Sequence, residues 1–313
     1  MTFAMIFPGQ GSHNFDLLKK ISLYNSIIKK TFDEASYYIN FNLWKLIQKK
    51  NLDIMNYNKY IQAIILTTSV SIYRLWKKKI KINPNIVAGH SLGEYSALVC
   101  AKCIHFCDGL KIVMIRNQLM KDAMIRKPGR MIAIIGLKIN IIKNICYKFS
   151  KQEIVSIACI NSELEVVISG NKKSVQLAGE ECKKYGAKAI FKLSMHIASH
   201  CQLMKSAAIK LLDVIKKIIF HKPLFPIINN IAVKCETSGE KIKIALIKQL
   251  YQPVFWKQTI EYIISKKIPL ILEIGISNVL TNLNKNLINI LSISLSNQNN
   301  FLKAKKYLKK ENY

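Results

Sequence analysis

The first apolar run, Thr2 to Phe7, ends in "PGQGS", the pattern of a short strand stopped by turn residues. Beyond it, apolar positions recur at helical spacing from about Phe15 to Tyr38 and from Asn58 to Lys77. A second short run, Ile86 to Ala88, meets "GHSLG". Helical spacing then resumes over about Gly93 to Lys102 and Gly109 to Met124. Strand and helix patterns alternate, which predicts an α/β sheet with crossover helices. Between about Arg130 and Leu193 the rhythm changes to strand "MIAIIGL", helix Asn140 to Phe149, strands "IVSIACI" and "EVVISG", helix Lys172 to Tyr185, and strand "AKAIFKL". This β-α-β-β-α-β order predicts a compact ferredoxin-like subdomain inserted into the larger one. The expected division is residues 1–126 and 197–313 for the large domain and 127–196 for the insert. "IPLILEIG", Ile268 to Gly275, reads as a late strand of the larger sheet.

Composition narrows the class. With 313 residues and 50% hydrophobic content, the chain can bury one large core or two unequal ones. No basic segment precedes the first apolar run, which is unlike a secretory signal. The most apolar segment, around Tyr60 to Trp76, carries Gln62, Thr67, Thr68, Ser69, Ser71 and Arg74, so it suits a buried helix and not a membrane span. A cytoplasmic protein is expected. The eight cysteines fit a reducing compartment. Cys100, Cys103 and Cys107 repeat at i, i+3, i+7, which predicts one buried helix face. With only His105 nearby and no second Cys or His pair, no metal site is expected.

The formal charge is +30, from 48 Lys plus Arg against 18 Asp plus Glu. Such a balance ordinarily points to nucleic acid or an anionic surface. Here the lysines are spread along the chain without a stacking platform or a recognisable helix-turn-helix, so no specific nucleic-acid binding is expected. Ile, Lys and Asn dominate, which suits an A+T-biased genome. The field would still attract an acidic partner.

Four features carry chemistry. Gly89-His90-Ser91-Leu92-Gly93, between a strand and a helix, has the form of a nucleophile elbow, in which a strained turn lifts a serine hydroxyl clear of the sheet. The following helix aims its free N–H groups and positive dipole end at the place where an oxyanion would form. A serine nucleophile needs a base, and "LSMHIASHCQLM" offers His196 and His200 at the junction where the insert returns to a helix. From the residues alone either could serve. The glycines around Gln10 in "FPGQGS" would let backbone and amide groups approach a ligand closely. Arg116, inside the apolar helical pattern "KIVMIRNQLM", calls for a carboxylate from protein or substrate.

Taken together, these stretches resemble malonyl-CoA:acyl-carrier-protein transacylase of bacterial type II fatty-acid synthesis. The resemblance runs through "FPGQGS", "GHSLGEYSAL", "IRNQLM", "SHCQLM", "VKCETSG" and "QLYQPVFW", in the family's order and over nearly the whole chain. It implies an α/β-hydrolase-like parallel-sheet domain with a ferredoxin-like insert. It also implies transfer of malonyl from malonyl-CoA to the phosphopantetheine thiol of acyl carrier protein, through a malonyl-serine. By that resemblance Ser91 is the nucleophile, His200 the base, and Arg116 the partner of the malonyl carboxylate. Gln10 and the Leu92 N–H form the oxyanion hole, and the carbonyl of Gln249 orients the histidine in place of an aspartate. The family acts as a monomer, with no cofactor beyond the phosphopantetheine that its partner carries. The chain departs from the family pattern at "MHIASH", where His196 and Ala198 replace small or apolar residues and a proline. The competing readings from the residues are a serine hydrolase and a basic nucleic-acid binder on an enzyme fold.

Overall fold

A computed structural model describes residues 2–11, 26–48, 54–125, 127–193, 197–285, 287 and 290–310. In chain order it begins with β1 (Ala4–Phe7), α1 (Ser26–Ile39), α2 (Leu43–Gln48), α3 (Ile54–Lys79), β2 (Ile86–Gly89), α4 (Gly93–Cys100) and α5 (Phe106–Ile125). The middle comprises β3 (Gly129–Ile135), α6 (Ile139–Phe149), β4 (Val155–Ile160), β5 (Glu165–Asn171), α7 (Lys172–Lys184) and β6 (Ala189–Lys192). The remainder comprises α8 (Lys205–Ile215), β7 (Ile227–Ile228), α9 (Gly239–Gln249), α10 (Trp256–Ser265), β8 (Leu270–Glu273), α11 (Val279–Lys285), β9 (Leu291–Ser294) and α12 (Gln298–Lys310).

The larger sheet is parallel, in the order β7-β2-β1-β8-β9. The smaller is antiparallel, in the order β4-β5-β3-β6, which the β-α-β-β-α-β connection produces when the two halves interleave. The fold is therefore an α/β-hydrolase-like parallel sheet with an inserted ferredoxin-like unit.

Side-chain alternation explains how the layers join. Met5 and Phe7 of β1, with Phe3 just before it, enter a core with α1, α3 and α4, while Ala4 and Ile6 face the other way, toward Trp256 and Ile260 of α10. Strand β3 alternates in the same manner. Ile132 and Ile134 pack under the insert's own helices, and Met131 and Ala133 join the Ala4, Ile6 and Trp256 cluster. A strand covered on both faces reads as a continuous apolar run, as "MIAIIGL" does. One face of the insert is thus fastened over the parallel sheet, beside the C-terminal ends of β1 and β2.

The single helix face expected for Cys100, Cys103 and Cys107 does not exist. Helix α4 stops at Cys100, and Cys107 belongs to the next helix. Lys102 turns the chain at φ 56°, with Cys103 N–H donating to Leu98 O at 2.9 Å and Lys102 N–H to Val99 O at 3.0 Å. These two bonds form a Schellman stop, which a non-glycine residue fills here without the usual sequence signal. Cys100 and Cys103 are nonetheless buried.

Candidate active site

The parallel sheet presents the C-terminal ends of three adjacent strands, β7, β2 and β1, to one place. Ligands of open α/β sheets collect at such ends. Strand β2 delivers Ser91, and β1 delivers Gly9 and Gln10. Two residues past the end of β7 stands Asn230. The elbow requires its glycines for want of space: a Cβ on Gly89 would lie 1.9 Å from the carbonyl carbon of Gly93, and one on Gly93 2.0 Å from Phe7 O. Ser91 itself sits at φ 51°, a left-handed conformation that L residues adopt under constraint.

The constraint is visible. Asn230 takes the Ser91 N–H on its Oδ1 at 2.7 Å and donates through Nδ2 to Gly89 O at 2.6 Å, clasping the elbow backbone at both ends. The Gln249 side-chain amide donates to Ser91 O at 3.0 Å and to Glu94 Oε2 at 2.7 Å. Glu94 Oε2 also accepts the Asn230 N–H at 3.2 Å. Burial pushes the Glu94 carboxyl up to about 7, against those hydrogen bonds and the nearby Arg116 charge.

The serine hydroxyl meets the ring of His200, with Oγ and Nε2 2.8 Å apart. His200 Nδ1 lies 2.7 Å from the Gln249 backbone carbonyl, which can only accept. The proton therefore sits on Nδ1, and the Nε2 lone pair faces the serine hydroxyl. Burial, followed by the Arg116 charge, pulls the imidazole down to about 3, so it is neutral at physiological pH. Like Ser91, His200 adopts positive φ, at 62°, and its N–H is fixed on Leu250 O at 2.9 Å.

Arg116, in the middle of α5, is 2% exposed and points its Nη2 at Ser91 Oγ over 3.4 Å. Nη1 donates to Gln62 Oε1 at 2.9 Å, and the guanidinium lies 5.4 Å from the centre of the Tyr95 ring. Gln62 Nε2 in turn reaches Gln10 Oε1 at 3.5 Å. Leu92 is the N-cap of α4, and the next three N–H groups, of Gly93, Glu94 and Tyr95, turn back to the carbonyls of His90, Ser91 and Leu92 at 2.9, 3.1 and 3.1 Å. Ser91, His200, Arg116, Gln10 and Leu92 line a cavity of about 220 Å³ together with Met131, Ala133 and Cys159 of the insert.

Ser91, His200, Arg116, Gln10, Leu92 and Gln249 are thus brought together, with Gln249 in contact through both its carbonyl and its amide. His13 and His196 lie outside the described residues. His90, next to Ser91 in the chain, also lines the cavity. Its Nε2 is 3.1 Å from Asn161 Oδ1, its ring tilts against Trp256, and burial lowers its pKa. Asn161 continues to Glu165 at 3.0 Å. Gln62, Glu94, Asn161 and Asn230 were missed, because an amide or acid inside a helix or after a short strand has no motif of its own. Among the described residues, no group of three or more His, Cys, Asp or Glu side chains is placed to hold a metal ion.

Fold and site together define an acyl transferase. The family model described as "Acyl transferase domain" matches residues 4–288. The chain is 47% identical to the malonyl CoA-acyl carrier protein transacylase of Buchnera aphidicola subsp. Schizaphis graminum, covering 97% of this chain and 98% of the relative. It is 41% identical to the transacylase of the same description from Escherichia coli strain K12, over 95% of this chain and 96% of the other. A solved malonyl-transacylase in complex with a type II PKS acyl-carrier protein superposes with a TM-score of 0.95 at 40% identity, covering 98% of this chain and 100% of that one. The chain belongs to this acyl transferase family, among the malonyl CoA-acyl carrier protein transacylases.

Proposed function

We propose that the protein transfers a malonyl group from malonyl-CoA to the phosphopantetheine thiol of an acyl carrier protein, through a malonyl ester on Ser91, in fatty-acid synthesis. The observation that carries this reading is the shared serine hydroxyl, 2.8 Å from a base and 3.4 Å from a buried guanidinium. His200 Nε2 takes the Ser91 proton as Oγ attacks the thioester carbonyl. The tetrahedral oxyanion is held at Gln10 and the Leu92 N–H, at the positive end of α4. As the intermediate collapses, His200 returns its proton to the departing coenzyme A sulfur. The carrier thiol then enters by the same steps in reverse. Gln249 keeps the imidazole in the productive tautomer throughout, doing with a carbonyl what an aspartate does elsewhere.

Arg116 supplies the choice of acyl group. A malonyl carboxylate satisfies the buried guanidinium, whereas an acetyl group leaves it unpaired. A cavity of about 220 Å³ suits the acyl end of the substrate, with the rest of the coenzyme outside. The reaction as proposed uses side chains and two thioesters, the phosphopantetheine being carried by the partner. No helix among the described residues is long and apolar enough to cross a membrane. The same reading has the enzyme working as a monomer in the cytoplasm, which light scattering and fractionation check.

The test is intact-protein mass after mixing with malonyl-CoA or acetyl-CoA. The expected malonyl adduct forms with malonyl-CoA, is absent in Ser91→Ala, and loses its preference over acetyl in Arg116→Ala. Release of coenzyme A without an adduct would instead identify a hydrolase.

A further inference from the structure

Buried arginines are ordinarily matched by a carboxylate, because an uncompensated charge away from water is costly. Among the described residues Arg116 has no such match. It takes part in none of the ion pairs among the described residues, and its Nε has no hydrogen-bond acceptor. Glu94 is near enough to be felt electrostatically, yet its hydrogen bonds go to Gln249 and Asn230. The acceptor that fixes the guanidinium is a neutral amide, Gln62 Oε1 at 2.9 Å, on a side chain only 1% exposed in α3.

We propose that Gln62 is a specificity-determining positioning residue: its amide holds the Arg116 fork in place without neutralising it, reserving the charge for a carboxylate on the acyl group. The inference rests on the malonyl reading above. A guanidinium can only donate, so its Nη1 assigns Oε1 of Gln62 to itself and turns Nε2 toward Gln10. With Nη1 held there, Nη2 is directed at the serine hydroxyl, 3.4 Å away, beside the position the acyl group takes on Ser91. Gln62 thus sets the direction of the fork, and its neutrality sets the charge that remains. A glutamate of the same length would keep the direction and remove the charge. A methionine of similar length would keep the charge and lose the direction.

The experiment compares wild type, Gln62→Glu, Gln62→Met and Arg116→Ala with malonyl-CoA and acetyl-CoA, measuring kcat and KM separately. Labelling of Ser91 by an uncharged sulfonyl fluoride serves as a readout of the serine–histidine pair. In Gln62→Glu the KM for malonyl-CoA should rise by about tenfold or more, with acetyl transfer unchanged or faster. Gln62→Met should lose malonyl kcat/KM mainly through KM. Sulfonyl fluoride labelling should change much less than malonyl transfer in both, which damage to the fold or the dyad would not allow. The proposal is overturned if Gln62→Glu retains the wild-type malonyl-to-acetyl ratio while Arg116→Ala loses it, or if labelling slows as much as malonyl transfer. A malonyl preference that survives Arg116→Ala would instead overturn the malonyl reading itself. Should Gln62→Glu not fold, Gln62→Met tests the direction of the fork by itself: malonyl kcat/KM at the wild-type value would overturn the proposal.

Discussion

At the scale of single residues, burial pushes the titrating groups of the site in opposite directions, Glu94 upward and both His200 and His90 downward. Glu94 is a buried acid raised from 4.5 to about 7, so its folded form prefers the proton. Its contribution to stability is present below about pH 4.5 and is lost as the pH rises through about 7, a change of roughly 3 kcal/mol. His200 is a buried base lowered from 6.5 to about 3, so it contributes stability above pH 6.5 that is lost as the pH falls toward 3. Thermal unfolding across this range should show both slopes in the wild type. Glu94→Gln should reduce the decline on the alkaline side, to which buried Glu273 also contributes, and keep the one on the acid side. An unchanged alkaline decline would mean that Glu94 is not its source. Neither shift could be read from the chain, because Glu94 looks like any acid in a helix's first turn until Gln249 and Asn230 enclose it.

At the scale of elements, the site depends on how closely β1, β2 and α4 approach one another. The glycine at each side of Ser91 is a point where two backbones touch, and the expected consequence is severe. Gly89→Ala places a methyl group within 2 Å of the Gly93 backbone. It should cost at least about 3 kcal/mol or prevent folding, measured by denaturant unfolding and soluble yield. Gly11 is the contrast: a Cβ there meets nothing within 4 Å, although its φ of 99° still favours glycine. The elbow was legible because turn chemistry is written locally, strand, glycine, serine, glycine, helix. The end of α4 was not, because Lys102 adopts a left-handed turn that the sequence marks with no glycine or asparagine. The cysteine spacing that suggested one helix face was therefore carried by a helix, a Schellman turn and a second helix.

At the scale of the whole molecule, two facts shape encounters with partners. The insert covers one face of the parallel sheet through Met131, Ala133, Cys159 and Val167, so the serine lies between two layers and not at an open sheet edge. The surface carries the +30 charge of the chain. A field of that sign accelerates association with acidic proteins and is screened by salt. Raising ionic strength from about 0.05 to 0.5 M should lower kcat/KM for the carrier protein by about tenfold or more. Ser91 labelling by the uncharged sulfonyl fluoride should not respond. A carrier reaction indifferent to salt would show that the charge reflects composition alone.

What the chain determined by itself was most of what depends on neighbours in sequence, the Lys102 turn excepted: the alternation of strands and helices, the ferredoxin-like order of the insert, the elbow around Ser91, and the motif series shared with the transacylases. Periodicity and turn chemistry act over a few residues, so they survive in the linear text. The tertiary structure decided the pairings across the chain. Ser91 and His200 are 109 residues apart, His200 and Gln249 are 49 apart, and the Gln249 amide reaches back 158 residues to the Ser91 carbonyl. The residue pattern alone left His196 and His200 open; the described geometry places His200 at Ser91. It also showed that, among the described residues, Arg116 is held by an amide and not by an acid. Such contacts depend on which strand ends the sheet brings together and which side chains burial then leaves without water, and neither is stated in any one segment.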